Sequence, residues 1–84
     1  MEAPSRPMAE LLDFLARALV DNPDAVSIEQ FEEDDGTLVL ELTVAEDDVG
    51  QVIGRNGRTI AALRQLARAA ATKQGRRVLV DVVD

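Results

Sequence analysis

The stretch VIGRNGRTI, Val52 to Ile60, decides how this chain is read. Two glycines, Gly54 and Gly57, enclose Arg55 and Asn56, and Arg58 follows at once. Apolar Val52 and Ile53 come before the pair and Ile60 after it. Glycine adopts backbone angles closed to other residues and lets a second chain approach the backbone. A glycine-bounded turn between two segments of helical apolar periodicity predicts two helices joined by four residues or fewer. The free N–H groups at the start of the second helix, and its positive dipole end, suit a phosphate. A glycine pair at this spacing is common, with about 0.4 expected by chance in a chain of this length. Requiring the three apolar positions as well lowers that number to about 0.01.

Reading outward toward the C-terminus, a long helix is predicted from about Arg58 to Gln74. Ile60, Leu63, Leu66, Ala67, Ala70 and Ala71 would form its apolar face, and Gly75 its stop. RRVLVDVVD then reads as a strand, with Val78, Val80 and Val82 on one face and Leu79, Asp81 and Val83 on the other. Toward the N-terminus, Val49, Val52 and Ile53 make a short helical stripe ended by Gly54. Glu46, Asp47 and Asp48 stand where the positive end of that helix dipole favours negative charge. TLVLELTV alternates cleanly, with Leu38, Leu40, Leu42 and Val44 facing one way and Val39, Glu41 and Thr43 the other. Asp35-Gly36 signals a hairpin turn back to AVSIEQFEE. There Val26 and Ile28 share a face that Phe31 leaves, which predicts a bulge or an early strand end. Met8, Leu11, Leu12, Leu15, Ala18 and Leu19 make one stripe of a first helix over about Met8–Asp21, stopped by Asp21-Asn22-Pro23. Residues 1–7, with Pro4 and Pro7, read as a lead-in to one domain over 8–84.

The order helix, strand, strand, helix, helix, strand predicts an α+β fold: one three-stranded mixed sheet with helices packed on one face. The 84 residues are 46% apolar, enough for one small core. No run is long and apolar enough for a transmembrane helix, the N-terminus lacks the pattern of a secretory signal, and a cytoplasmic protein is expected. With no cysteine and no histidine, the thiol nucleophile, the commonest general base and a thiolate zinc site are all missing. Glu32–Gly36 lacks the spacing of a calcium loop, and neither dinucleotide nor nucleoside-triphosphate motifs occur. No catalysis, metal or cofactor is expected.

The net charge of −7 is unevenly divided. Residues 1–48 carry two basic and fourteen acidic side chains, −12; residues 49–84 carry seven basic and two acidic, +5; together −7. Such asymmetry between halves points to a nucleic-acid-facing half or an interaction tail, the alternative being solvated surface charge that happens to cluster.

VIGRNGRTI resembles the I-G-x-x-G-x-x-I signature of KH domains, whose GXXG loop clamps about four nucleotides of single-stranded nucleic acid backbone. The element order is that of the type II KH arrangement, α-β-β-α-α-β. VGQVIGRNGRTIAALRQLARAAATKQGRRVLVDVVD, with LLDFLARALVDNPDAV before it, is similar to the small bacterial single-KH proteins of the KhpA (YlqC-like) family, and the length agrees. The resemblance implies single-stranded RNA binding without catalysis, of the RNA-chaperone or post-transcriptional-regulator kind. It places Gly54, Arg55, Asn56 and Gly57 on the RNA backbone, Arg58 at the basic position after the loop, and Val52, Ile53 and Ile60 in the core beneath the groove and in part of its floor. Arg64 and Arg68, four apart on one helix, reach one strip of surface. The resemblance further implies self-association and a larger KH-containing partner of the Jag/EloR type. Small Ala61, Ala62 and Ala69 would permit a close helix–helix contact. A protein-interaction module acting through the larger partner, and a ribosome-maturation factor, are the alternative readings. With no tryptophan or tyrosine, base stacking worth about 1–3 kcal/mol per base is missing. One copy is therefore expected to bind weakly and with marked salt dependence.

Overall fold

The computed structural model describes residues 7–83, so most of the lead-in, residues 1–6, lies outside the described residues. Helix α1 spans Pro7–Leu19, strand β1 Ser27–Glu32, strand β2 Leu38–Thr43, helix α2 Val49–Ile53, helix α3 Arg58–Lys73 and strand β3 Val78–Val83. This is the α-β-β-α-α-β order expected. The sheet runs β1-β2-β3, with β1 antiparallel and β3 parallel to the central β2. The helices cover one face. Leu38, Leu40, Leu42 and Val44 on β2 and just beyond it are at most 4% exposed, and Val78 and Val80 join them from β3.

Helix α1 ends two residues before the expected Asp21. The Val20 amide still reaches the Ala16 carbonyl, but the amides of Asp21 and Asn22 donate instead to the Asp48 carboxylate, and a tight turn over Pro23–Ala25 follows. Arg17 holds the connection in place. It pairs with Asp13 at 3.0 Å and donates to the carbonyls of Pro23 and Val26.

The apolar stripe of α1 is rotated from expectation. Met8, Ala9, Leu12 and Ala16 are buried, whereas Leu11, Phe14 and Leu19 are 37%, 70% and 41% exposed. Ala18 is exposed too. Three-residue spacing alone favoured the larger side chains, yet the close approach of helix to sheet takes alanines at positions 9 and 16. In α3 the same correction applies to Leu66, 47% exposed, while Ile60, Leu63, Ala67 and Ala71 are buried.

Strand β1 carries neither bulge nor early end. Its register with β2 is unbroken from Ser27↔Thr43 to Glu32↔Leu38. Phe31 leaves the face of Ile28 because strand residues alternate, and it lies on the uncovered side of the sheet. The five-residue β1–β2 connection, 33–37, contains a four-residue turn, Glu33–Gly36, closed by the Gly36 amide on the Glu33 carbonyl at 2.9 Å. Asp35 accepts from the Thr37 amide at 2.9 Å and pairs with Arg77 at 3.1 Å. The Thr37 contacts, with Arg77 adding to them, hold the Asp35 carboxyl below its ordinary value. Helix α3 stops as expected at Gly75, whose φ is +69°. The Arg76 amide reaches the Ala71 carbonyl and the Gly75 amide that of Thr72, the paired closure that favours glycine at a helix end.

Candidate nucleic-acid interface

The segment before the glycine pair is set by Asp48. Its side chain does not cap α2; it is 1% exposed and turned toward the α1–β1 connection. There it accepts from the Asn22 Nδ2 at 3.0 Å and from the amides of Asn22 and Asp21 at 3.1 and 3.2 Å. Burial pushes this carboxyl up, but the three donors outweigh it and hold it below the ordinary aspartate value. Helix α2 is thereby tied to the end of α1. The expectation that all three acids serve the helix dipole gives way here: Glu46 and Asp47 are exposed and Asp48 is a clamp.

Helix α2 ends where the Gly54 amide reaches the Gly50 carbonyl at 2.9 Å. The next four residues turn on themselves, with the Gly57 amide 3.1 Å from the Gly54 carbonyl. Three of the four have positive φ: Gly54 at 79°, Asn56 at 58° and Gly57 at 74°. The two glycines answer different demands. Gly54, at φ 79° and ψ 172°, occupies a region essentially reserved for glycine. A Cβ there would also sit 2.7 Å from the Thr59 Cβ and 2.8 Å from the Thr59 nitrogen. Its backbone lies hard against the first turn of α3. Gly57 has open space around it and is constrained by φ alone. Asparagine is the residue that best tolerates the left-handed region after glycine, which accounts for Asn56.

Gly57 precedes α3 without any side-chain cap, so the first-turn amides of α3 have no side-chain partner from the cap position. Arg55, Asn56 and Arg58 are exposed beside them. Arg64 and Arg68 are exposed on the flank of α3 that turns toward β3. With Val78, Leu79, Val80 and Asp81 they line a depression between α3 and this edge strand. Arg64 is fixed there, its Nε donating to the Val80 carbonyl at 3.1 Å. Among the described residues, ion pairs engage Arg17, Arg76 and Arg77, and none engages Arg55, Arg58, Arg64 or Arg68. From Arg58 to Arg68 the helix rises about 15 Å, so the loop and this flank make one basic, partly apolar strip. Asp81 is the acidic exception at its margin.

The apolar signature positions divide. Val52 is fully buried and Ile60 is 5% exposed, so both belong to the core beneath the loop. Ile53 is half-buried and keeps surface beside the turn. Ala61, Ala62 and Ala69 are all exposed. Ala61 stands one i, i+7 step from Arg68, hence on the basic flank. Ala62 and Ala69 align with Leu66 on the outer side of α3. Among the described residues there is no group of acidic side chains disposed to hold a metal ion, and no helix is long and apolar enough to cross a membrane.

A glycine-bounded, left-handed turn feeding a helix, on a mixed sheet reached in the order α-β-β-α-α-β, defines a type II KH domain. The fold likeness extends to Era of Aquifex aeolicus, bound to GDP and aluminium fluoride, at a TM-score of 0.63 and 23% identity; it covers 98% of this chain and 31% of Era. A structure of Era in complex with a nucleotide and a segment of 16S ribosomal RNA aligns at a TM-score of 0.59, also at 23% identity, over 89% of this chain and 28% of that one. The profile of the KhpA/KhpB KH domain matches residues 9–82, and the chain belongs to that family. The RNA-binding protein KhpA of Halalkalibacterium halodurans is 53% identical over 78 residues, 92% of this chain and all of the relative. That of Caldanaerobacter subterraneus is 45% identical over 76 residues, 90% of this chain and all of the relative.

Proposed function

We propose that this protein is a non-catalytic binder of single-stranded RNA that grips the sugar–phosphate backbone at Gly54–Gly57. The observation that carries this is the loop itself: a left-handed backbone with no side-chain cap, exposed Arg55, Asn56 and Arg58, and the start of α3 directly behind it. Full-length relatives named as RNA-binding proteins point the same way. Phosphates meet α3 amides and arginines, and bases lie along the strip of Ile53, Arg64, Arg68 and the β3 edge. Recognition rests on backbone contacts and aliphatic packing. Phe14 and Phe31, the two aromatic residues, stand on other surfaces. Binding by one copy is weak, little selective and steeply salt-dependent, in keeping with an RNA chaperone or post-transcriptional regulator acting in the cytoplasm.

The double variant Arg55→Asp/Asn56→Asp tests the assignment. Both residues are exposed, so the fold survives. RNA affinity falls at least about tenfold, a loss of about 1.4 kcal/mol or more. A gel-shift titration with unchanged affinity would remove the loop from the binding site.

Self-association strengthens such binding by presenting two loops to one strand. The outer surfaces of α1 and α3 support it: Leu11, Phe14 and Leu66 are exposed there, with Ala62 and Ala69 small enough for close approach. The same surface suits the KH domain of a larger family member of the Jag/EloR type.

A further inference from the structure

The uncovered face of the sheet meets the basic strip only at its β3 margin, where Leu79 and Asp81 also border Arg64 and Arg68; across β2 and β1 it lies apart from that strip. In register across the three strands it carries three rows. Phe31, Val39 and Leu79 form one, Glu29, Glu41 and Asp81 the next, and Ser27, Thr43 and Val83 the last. No basic side chain occurs in them. Phe31 and Leu79 are 47% and 53% exposed, while Val39 between them is 9% exposed. The three make a continuous apolar ridge. The acidic row beside it sets Glu29 directly opposite Glu41, and Glu41 beside Asp81. Like charges at facing cross-strand positions destabilise a sheet. Among the described residues none of the three has an ion-pair partner. This chain therefore keeps an apolar ridge in water next to a line of carboxylates, of which Glu29 and Glu41 stand away from the arginines of α3 and Asp81 borders them.

We infer that this face docks a basic amphipathic helix of a partner protein. The charge pattern selects the occupant. RNA is repelled by the acidic row, and a second copy placed face to face would oppose six carboxylates. A cationic partner neutralises the row and covers the ridge together. The dimensions select a helix. Three strands about 4.8 Å apart put the outer acids about 10 Å from each other, and rows two residues apart along a strand lie about 7 Å from each other. Basic residues at i, i+4 and i+7 of a helix span about 10.5 Å and form one stripe. Apolar residues at i+1, i+5 and i+8 form a neighbouring stripe that meets Phe31, Val39 and Leu79. An extended segment offers side chains about 6.6–7 Å apart on one face and misses the spacing of the acids. The site is separate from the RNA strip on the β1 side, where Glu29 and Phe31 lie one whole sheet away from α3. A partner held there leaves the loop free.

The test uses the full chain, labelled with nitrogen-15, and a synthetic helical peptide with Lys at i, i+4 and i+7 and Leu at i+1, i+5 and i+8. The control peptide has the same composition in an order that breaks both stripes. Amide shifts are expected at Glu29, Phe31 and Glu41, with none at Gly54–Gly57 or on the outer side of α1. The patterned peptide should bind at least about tenfold tighter than the control. Glu29→Gln/Glu41→Gln should weaken it at least about fivefold, Phe31→Ser likewise, and neither should change RNA affinity. Equal binding of the two peptides, no binding, or shifts centred on another surface would overturn the proposal. The carboxylate double variant should also melt at a higher temperature than the parent. An unchanged or lower melting temperature would mean that the acids cost the sheet nothing, and with that the reason for a cationic occupant is gone.

Discussion

The turn at Glu33–Gly36 and the loop at Gly54–Gly57 each span four residues. Each is closed by the amide of the fourth residue on the carbonyl of the first, at 2.9 and 3.1 Å, and each ends in a glycine of positive φ, 88° and 74°. Their surroundings are opposite. In the hairpin, Asp35 is taken up by the Thr37 amide and Arg77, Arg76 pairs with Glu32 at 3.2 Å, and the Gly36 carbonyl accepts from Arg76 at 3.3 Å. In the loop, the arginines have no acidic partner among the described residues and the helix behind lacks a side-chain cap. A closing hydrogen bond and a final glycine of positive φ are common to the turn that completes the sheet and the turn proposed to meet RNA, although the loop has three positive φ values and the hairpin one. What separates them is whether the polar groups around the turn are already satisfied within the protein.

The largest effect expected from this comparison concerns the glycines. Gly54→Ala combines a glycine-only backbone region with a clash against Thr59, so it should cost about 3 kcal/mol or more. Gly36→Ala meets open space and bears only the left-handed backbone cost, about 1 kcal/mol. Urea denaturation of both variants measures the difference. Equal losses would mean that the contact between Gly54 and α3 is not what holds the loop in place.

Those two turns also mark what the sequence made legible. Strand and helix order, the face of β2, the glycine stop of α3 and the position of the loop all follow from periodicity and glycine placement, which are local properties. The depth of burial is not local. Leu11 and Leu66 fit a helical stripe as well as Ala9 and Ala16 do, and only the approach of helix to sheet decides between them. Asp48 was missed for a similar reason. Its donors lie 26 and 27 residues away, and nothing at its own position distinguishes it from Glu46 or Asp47. The division into Arg76 and Arg77, paired with the hairpin, and Arg55, Arg58, Arg64 and Arg68, without an ion pair among the described residues, likewise needs the hairpin to be brought beside the end of α3.

The next effect separates the turns by pH. The folded-state carboxyls of Asp35 and Asp48 lie below the ordinary value of 3.8. Unfolded chains therefore take up protons first as pH falls, and the stability these groups supply is present in full above that value. It is lost as pH drops through their lowered folded-state values. Asp35→Asn and Asp48→Asn should each flatten the acid limb of a stability–pH curve. An unchanged slope would show that neither carboxylate is held by its donors. The loop has no counterpart to this. The loop holds no carboxylate and the chain has no histidine, so RNA affinity should stay level from about pH 5 to pH 8.

The smallest effect is the most discriminating between the two sets of arginines. Arg76 is 31% exposed and its partner Glu32 62%, so water already screens much of their attraction, and Arg76→Gln should cost about 0.5 kcal/mol, less at raised salt. Because Arg76 is engaged by the hairpin, the slope of log affinity for RNA against log salt should not move. Arg68→Gln should do the reverse: leave stability nearly untouched, since the residue is exposed and makes no ion pair among the described residues, and reduce that slope by about 0.7, the contribution of one phosphate neutralised on a single strand. If Arg76→Gln lowers the slope as much as Arg68→Gln, then the hairpin pairs give way when RNA arrives. The basic half of the chain would in that case act as one undivided surface.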